Sequence, residues 1–297
     1  MNRDIENRYY DIKVALRQLL DQNLVGQERI GNASETYLMS GETLYAVNAG
    51  TFVYDMTGPQ LAHLLERVQV ILDDYLLEGN GQDIWALQYV AQEYQRGTLN
   101  AFTNLSVQSA SYAQQTTLAA LLSSPGYLNQ VAAAYVSTYS DWVGISDAAR
   151  NDLANIISDA IGRGINPRET MKVISKRLDV SMSRAKTIAQ TEQVGALREA
   201  QWNETDWARE RLGLNTKLLH LSALKSTTRP WHASRHGKTY TVEEVRDWYA
   251  QNGNRYNCYC SQIPVIVDEQ GKIVNEGLVD KLFKERQQWQ DEYAKAA

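Results

Sequence analysis

Apolar positions recur at three- and four-residue intervals through much of the first two-thirds of the chain, and this spacing predicts helices. Over 59–77, Leu61, Leu64, Leu65, Val68, Leu72 and Tyr75 fall on one face, and Pro59 sits in the first turn, where its missing N–H is not needed. A mixed pattern with Ile5, Tyr9, Val14, Leu19 and Leu20 predicts a helix over 4–21. Residues 82–122 read as helical, with Trp85, Leu87, Val90 and Tyr94 before Gly97, and Ser123-Ser124-Pro125-Gly126 reads as a break. Another helix is predicted over 127–139. Residues 25–58, rich in Gly, Asn, Thr and Ser, read as loop with short strands. From 146 onward three helices are predicted. Ser146 caps the first, which carries Leu153, Ile156, Ile157, Ala160 and Ile161 and ends at Gly162 and Gly164. Asn166-Pro167-Arg168-Glu169 starts the second, with Asn as cap, Pro at the first helical position and Glu three residues on. Ser181 caps the third, which runs to about residue 205.

After 213 the pattern changes. Short strands are predicted at 217–223, 238–241 and 262–267, with a helix at 242–251 capped by Thr241 and closed by Glu244. Asp268-Glu269-Gln270-Gly271 reads as a hairpin turn returning through 272–274, and 276–297 reads as a charged amphipathic helix with Leu278, Leu282, Phe283 and Trp289. The fold class is therefore mainly α with a small C-terminal α+β domain, its short strands lying between about 217 and 274. The expected division is an acidic, mostly helical region over 1–145 and a second region over 146–297. The second comprises helices over 146–205, a small α+β unit over 213–275 and the C-terminal helix.

Charge sharpens this division. Residues 1–166 hold 9 Lys and Arg against 18 Asp and Glu, whereas 167–297 hold 21 against 17, so the overall −5 conceals an acidic first part and a basic second part. The segment 211–242 carries Arg211, Lys217, Lys225, Arg229, Arg235 and Lys238, three of the four histidines and no carboxylate. It reads either as a solvated basic face or as a contact for phosphate backbone or an acidic partner, with Arg211, Lys217, Lys225, Arg235 and Lys238 as the contact candidates. No run of about 18 apolar residues exists, and no apolar stretch of signal-peptide type opens the chain, so the expectation is a protein made in the cytosol with no membrane partner.

Three short segments carry chemistry. In the first, Ala185, Ala189, Ala196 and Ala200 form a stripe that admits close approach of another element, and Glu192 falls on it. A carboxylate there either lies on an exposed edge or pairs with an arginine, Arg229 being the first choice. In the second, Thr228 to Lys238, Pro230 keeps Arg229 out of helical geometry and Gly237 marks a turn. In the third, Cys258 and Cys260 alternate with Tyr259, so on an extended segment both thiols face one neighbour. A disulfide between residues so close would be strained, which favours a reduced compartment. The two thiols pack as small hydrophobes, or, with His232 and His236, they complete a Cys2His2 set for zinc.

Taken in order, these segments resemble the Mu F-like head morphogenesis proteins of tailed bacteriophages. Arg184-Ala185, Ile188-Ala189 and Thr191-Glu192 are similar to the family's helical box. Thr228, Arg229, His232 and Gly237 resemble its threonine–arginine–histidine segment, and Asn257, Cys258 and Cys260 its asparagine–cysteine box. The resemblance covers about 146–267, and its specificity lies in three boxes occurring in sequence. Lys225 stands where relatives often have aspartate, and Tyr259 where they often have arginine. The resemblance implies a minor head protein: a structural component with no cofactor, associated with the portal protein and other head proteins, located inside the virion head and assembled in the host cytoplasm. It further implies a role touching packaged double-stranded DNA and its ejection. The acidic first region would be the portal-docking part.

Enzymatic readings find less support. No Gly-x-Ser-x-Gly, phosphate-binding glycine loop or His-Glu-x-x-His occurs, and no nucleophile–base–orienter set is visible. A DNA-binding module or a metal-dependent nuclease built on the basic 211–242 stretch is the alternative. A hard cation there would want carboxylates, which the stretch lacks.

Overall fold

The computed structural model describes residues 1–28, 36–40, 43–47, 52–54, 56–79, 84–273 and 276–293. The elements run α1 (Asn2–Asn23), β1 (Gly26–Glu28), β2 (Thr36–Ser40), β3 (Thr43–Val47), β4 (Phe52–Tyr54), α2 (Gly58–Leu76), α3 (Leu87–Gln108), α4 (Ala110–Gln115), α5 (Leu118–Leu122) and α6 (Pro125–Arg163). They continue with α7 (Pro167–Leu212), β5 (Thr216–Leu221), α8 (Pro230–Ala233), β6 (Thr239–Tyr240), α9 (Val242–Ala250), β7 (Ser261–Ile266) and α10 (Glu276–Tyr293). The fold is mainly α with a small antiparallel sheet near the C-terminus, as the hydrophobic pattern predicts. No helix among the described residues is long and apolar enough to cross a membrane.

The chain forms two compact units, 1–85 with 139–186, and 86–138 with 187–297. The boundary expected at 145/146 lies inside α6. Two predicted helix starts do not form. Ser146 is not a cap: it is buried within α6, and its hydroxyl donates to Asp73 at 2.7 Å. Ser181 lies within α7, its hydroxyl 2.7 Å from that of Tyr9. Both serines satisfy side chains of other helices, so their hydroxyls are not free to cap. Without a proline between 126 and 166, or between 168 and 212, nothing forces either long helix to break. The ends fall where backbone chemistry demands them. Gly164, at φ +64°, closes α6 with Gly164 N–H on Ile161 O and Ile165 N–H on Ala160 O, a Schellman pair. Asn166 then accepts the Arg168 N–H at 2.9 Å and opens α7.

In the first unit α1 packs against α2, and Ile5, Tyr9, Ile12 and Leu16 of the one and Val68 and Leu72 of the other are buried. Thr57 and Gln60 form a capping box at the start of α2. Trp85 and Trp142 meet edge to face, 4.8 Å between centroids. Residues 25–58, expected as loop with short strands, contain two antiparallel pairs among the described residues, β1 with β4 and β2 with β3, and α2 begins at Gly58.

In the second unit the predicted run 82–122 resolves, from residue 87, into three helices, because Ser109 and Thr117 each cap a new start. Residues 82 and 83 lie outside the described residues. The alanine stripe of α7 does what small residues permit: Ala196 and Ala200 pack against Val90 and Tyr94 of α3. At Gly97 of α3 an added Cβ would lie 2.3 Å from Leu197 O, so the two backbones nearly touch. The sheet has strand order β6-β5-β7, with Leu218 opposite both Tyr240 and Pro264. Its outer edge at β7 is closed by Gln108, whose amide accepts from Ile266 N at 2.9 Å and donates to Pro264 O at 3.0 Å. One side chain thus mimics a neighbouring strand and leaves less edge for another chain to pair with. The capping box of Thr241 and Glu244 forms as predicted. The turn at 268–271 returns to a bridge between Val267 and Ile273, and the Val274 part of that hairpin lies outside the described residues. Residues 294–297 of the expected C-terminal helix also lie outside them.

Candidate functional site

The second unit brings most of the three sequence boxes together. Thr191 of α7 accepts the backbone N–H of Asn257 on its hydroxyl at 3.2 Å, which joins the first box to the third. Asn257 itself holds φ +49°, a conformation Asn tolerates better than most residues. Arg229 joins the second box to the loop before the third. Its guanidinium donates to the carbonyls of Gly253 and Asn254, both at 3.2 Å, and of Tyr256 at 3.0 Å. Pro230 holds Arg229 extended at φ −60°, ψ 134° and starts the short helix α8. Thr228 closes the turn before it by accepting from Lys225 N at 2.8 Å. The glycine that ends this box is required twice: Gly237 sits at φ +75°, and a Cβ there would lie 2.8 Å from Leu282 of α10.

Glu192 lies at the buried stripe and not on an exposed edge. Its expected partner is corrected: Arg255 reaches it at 3.0 Å, because Arg229 is committed to the three carbonyls. Arg184 is exposed and lies on the part of α7 that belongs to the first unit.

At the centre His232 points Nδ1 at two sulfurs, Cys258 Sγ at 3.3 Å and Cys260 Sγ at 3.7 Å. All three residues are buried, and one ligand atom from each lies within 4.8 Å of the others. Cys260 N–H donates to Cys258 Sγ at 3.4 Å, and Cys260 Sγ lies 3.5 Å from Ser222 Oγ. The Cys260 contact and the imidazole favour the ionised form of Cys258 and pull its thiol well below the usual range. Cys260, beside that sulfur and desolvated, is pushed up. His236, the fourth member of the expected Cys2His2 set, lies elsewhere. Its Nδ1 accepts from Ser222 N at 2.9 Å and its Nε2 faces Glu285 at 3.1 Å, so it pins the β5 end to α10. Burial holds its pKa below the ordinary value against the pull of Glu285.

Several residues that build the site give no motif in the sequence. Arg198, 1% exposed, donates from Nε to Cys260 O at 2.8 Å and from Nη2 to Cys258 O at 2.9 Å, with its guanidinium 4.3 Å over the Tyr249 ring. It is seven residues after Thr191, hence on the same face of α7, and that spacing is the only signal it leaves. Gln262 is fully buried. It accepts from Trp202 Nε1 at 3.0 Å and donates toward Tyr249 Oη at 3.0 Å, while its Nε2 lies 3.1 Å from His220 Nδ1. His220 is held neutral, its pKa driven far down by burial and then by nearby cations, Arg235 first.

Of the basic candidates, Arg211, Lys225 and Lys238 are exposed and Lys217 is half-buried. Lys225 rests on the Tyr259 ring at 3.3 Å. Arg235 is different: it stacks 3.6 Å from the Tyr240 centroid and 4.4 Å from that of Trp248, and burial lowers its pKa, so it serves the core.

Residues 151–263 match the family described as Phage Mu protein F like protein. The Mu F-like segment begins within α6 and ends within β7, so it includes all three boxes and both cysteines. No curated protein and no solved structure matches the chain. The geometry thus stands beside the Mu F-like match: most of the residues that carry the resemblance are the ones that hold α7, the α8 turn and the Cys-x-Cys segment together.

Proposed function

We propose that this chain is a minor head protein of a tailed bacteriophage, a structural and assembly component of the virion associated with the portal vertex and the head interior. The observation that carries the reading is the Mu F-like match over 151–263, whose boxes touch one another. Their roles favour scaffolding: Arg229 and Arg198 spend their donors on backbone carbonyls, and Glu192 is engaged with Arg255. The partners are the portal protein and other head proteins. The exposed cations Arg211, Lys225 and Lys238 are the surface offered to packaged double-stranded DNA, which the chain would contact and help to eject.

Protein analysis of purified particles tests the reading. The chain should be present in heads at low copy, and disrupting it in the encoding phage should lower infectious yield while leaving tails intact. Full infectivity from particles lacking it would overturn the proposal. For the DNA surface, replacing the three exposed cations with Gln should flatten the salt dependence of duplex binding. The log–log slope should fall by about 0.9 for every phosphate that is no longer neutralised. Cutting of plasmid by the purified chain with Mg²⁺ or Mn²⁺, abolished by His232→Ala, would favour the nuclease reading instead.

A further inference from the structure

We infer that His232, Cys258 and Cys260 form a zinc site, with three protein ligands and a fourth position open to water. The inference rests on side-chain geometry and holds whether or not the chain serves in a phage head. Zinc–sulfur and zinc–nitrogen bonds of about 2.3 and 2.1 Å at a tetrahedral angle place nitrogen and sulfur about 3.6 Å apart. The observed Nδ1–Sγ separations of 3.3 and 3.7 Å bracket that value, and the sulfurs lie within 4.8 Å of each other. Soft thiolates with one imidazole suit zinc over magnesium or calcium, which seek oxygen.

The surroundings are arranged as a support for ligands. Arg198 fixes the carbonyls of both cysteines in the Cys-x-Cys segment, and the Cys260 N–H points at Cys258 Sγ, as suits a thiolate. The ring of His232 is held by its place on α8 and by Trp248, 4.6 Å away between centroids at a steep angle. Its Nε2 is buried and makes no hydrogen bond. With Nδ1 on the metal, the ring proton would sit on Nε2. All three ligands border a cavity of about 100 Å³, also lined by Thr228 and Arg229, which has room for a coordinated water. Binding is a simple exchange: Zn²⁺ enters, any proton still held on the two sulfurs leaves to solvent, and two thiolates cancel the charge of the ion. The zinc would clamp the α8 turn to the segment after Asn257, so the second and third boxes close on one atom.

The test uses the full chain. Purified without chelator it should carry about one zinc per molecule. After metal removal, Co²⁺ should give the visible bands of a tetrahedral site and a thiolate-to-metal charge-transfer band. Cys258→Ser, Cys260→Ser and His232→Asn should each abolish these bands, whereas His236→Gln should keep them. Because a ligand variant can unfold, a second measurement uses the unaltered chain: both thiols should alkylate slowly with zinc present and fast after chelation. Equal alkylation rates with and without zinc, or metal uptake unaffected by the ligand variants, would overturn the proposal. A single fast, zinc-insensitive thiol at Cys258 would do so too, and would point to a thiolate–imidazole nucleophile.

Discussion

Replacing Arg198 by Met tests whether this one buried guanidinium holds the Cys-x-Cys segment in place. The Met side chain keeps much of the volume but removes both donors, so the carbonyls of Cys258 and Cys260 are deprived of partners at 2.9 and 2.8 Å. Hydrogen bonds from a charged donor are each worth about 1.5–3 kcal/mol net, and buried carbonyls left unpaired cost a similar amount. The stacking on the Tyr249 ring adds a further fraction. These contributions overlap, so about 3 kcal/mol is the working figure for the local unit. If opening of the segment is what exposes the thiols, that figure is about a hundredfold in the opening equilibrium. Alkylation of Cys258 and Cys260, measured in chelator so that metal does not protect them, should accelerate by about that factor. Arg198→Lys should fall between, since one ammonium cannot span two carbonyls as a planar fork does. A Met variant whose thiols react within about twofold of the unaltered chain, with stability shifted by less than about 0.5 kcal/mol, would show that Arg198 does not hold the segment in place.

Gln262→Leu should destabilise the second unit by about 2–4 kcal/mol in urea titration, since the buried Trp202 indole and Tyr249 hydroxyl would be left without their amide partner. Gly97→Ala should cost at least about 1–3 kcal/mol, because the new methyl meets the backbone carbonyl of Leu197; a neutral result would mean that α3 and α7 do not approach so closely. Glu204 has a pH signature. Burial raises its carboxyl above the ordinary 4.5 while it accepts from Tyr112, so the folded state binds the proton more tightly than the unfolded one. Its contribution is therefore full below pH 4.5 and is lost as pH rises through the raised value. Glu204→Gln should leave acid stability nearly unchanged and gain on the unaltered chain at neutral pH, as denaturation midpoints across pH would record.

Much of this protein was legible from local chemistry. The apolar spacing of 59–77, the Asn166-Pro167 start, the Gly164 stop and the Thr241–Glu244 box all act within a few residues, so the chain states them directly. The three boxes were equally readable, and so was the facing of two thiols separated by one residue. The long-range choices were not. Whether Ser146 and Ser181 start helices or lie inside them depended on Asp73 and Tyr9, which only folding brings near. Which arginine meets Glu192, which histidine meets the sulfurs, and whether Arg235 lies among aromatic rings were likewise settled by partners many residues away. The physical reason is range: capping, turn and periodicity energies couple neighbours in the chain, whereas a buried charge or thiol takes whichever partner the closed fold leaves within hydrogen-bond distance.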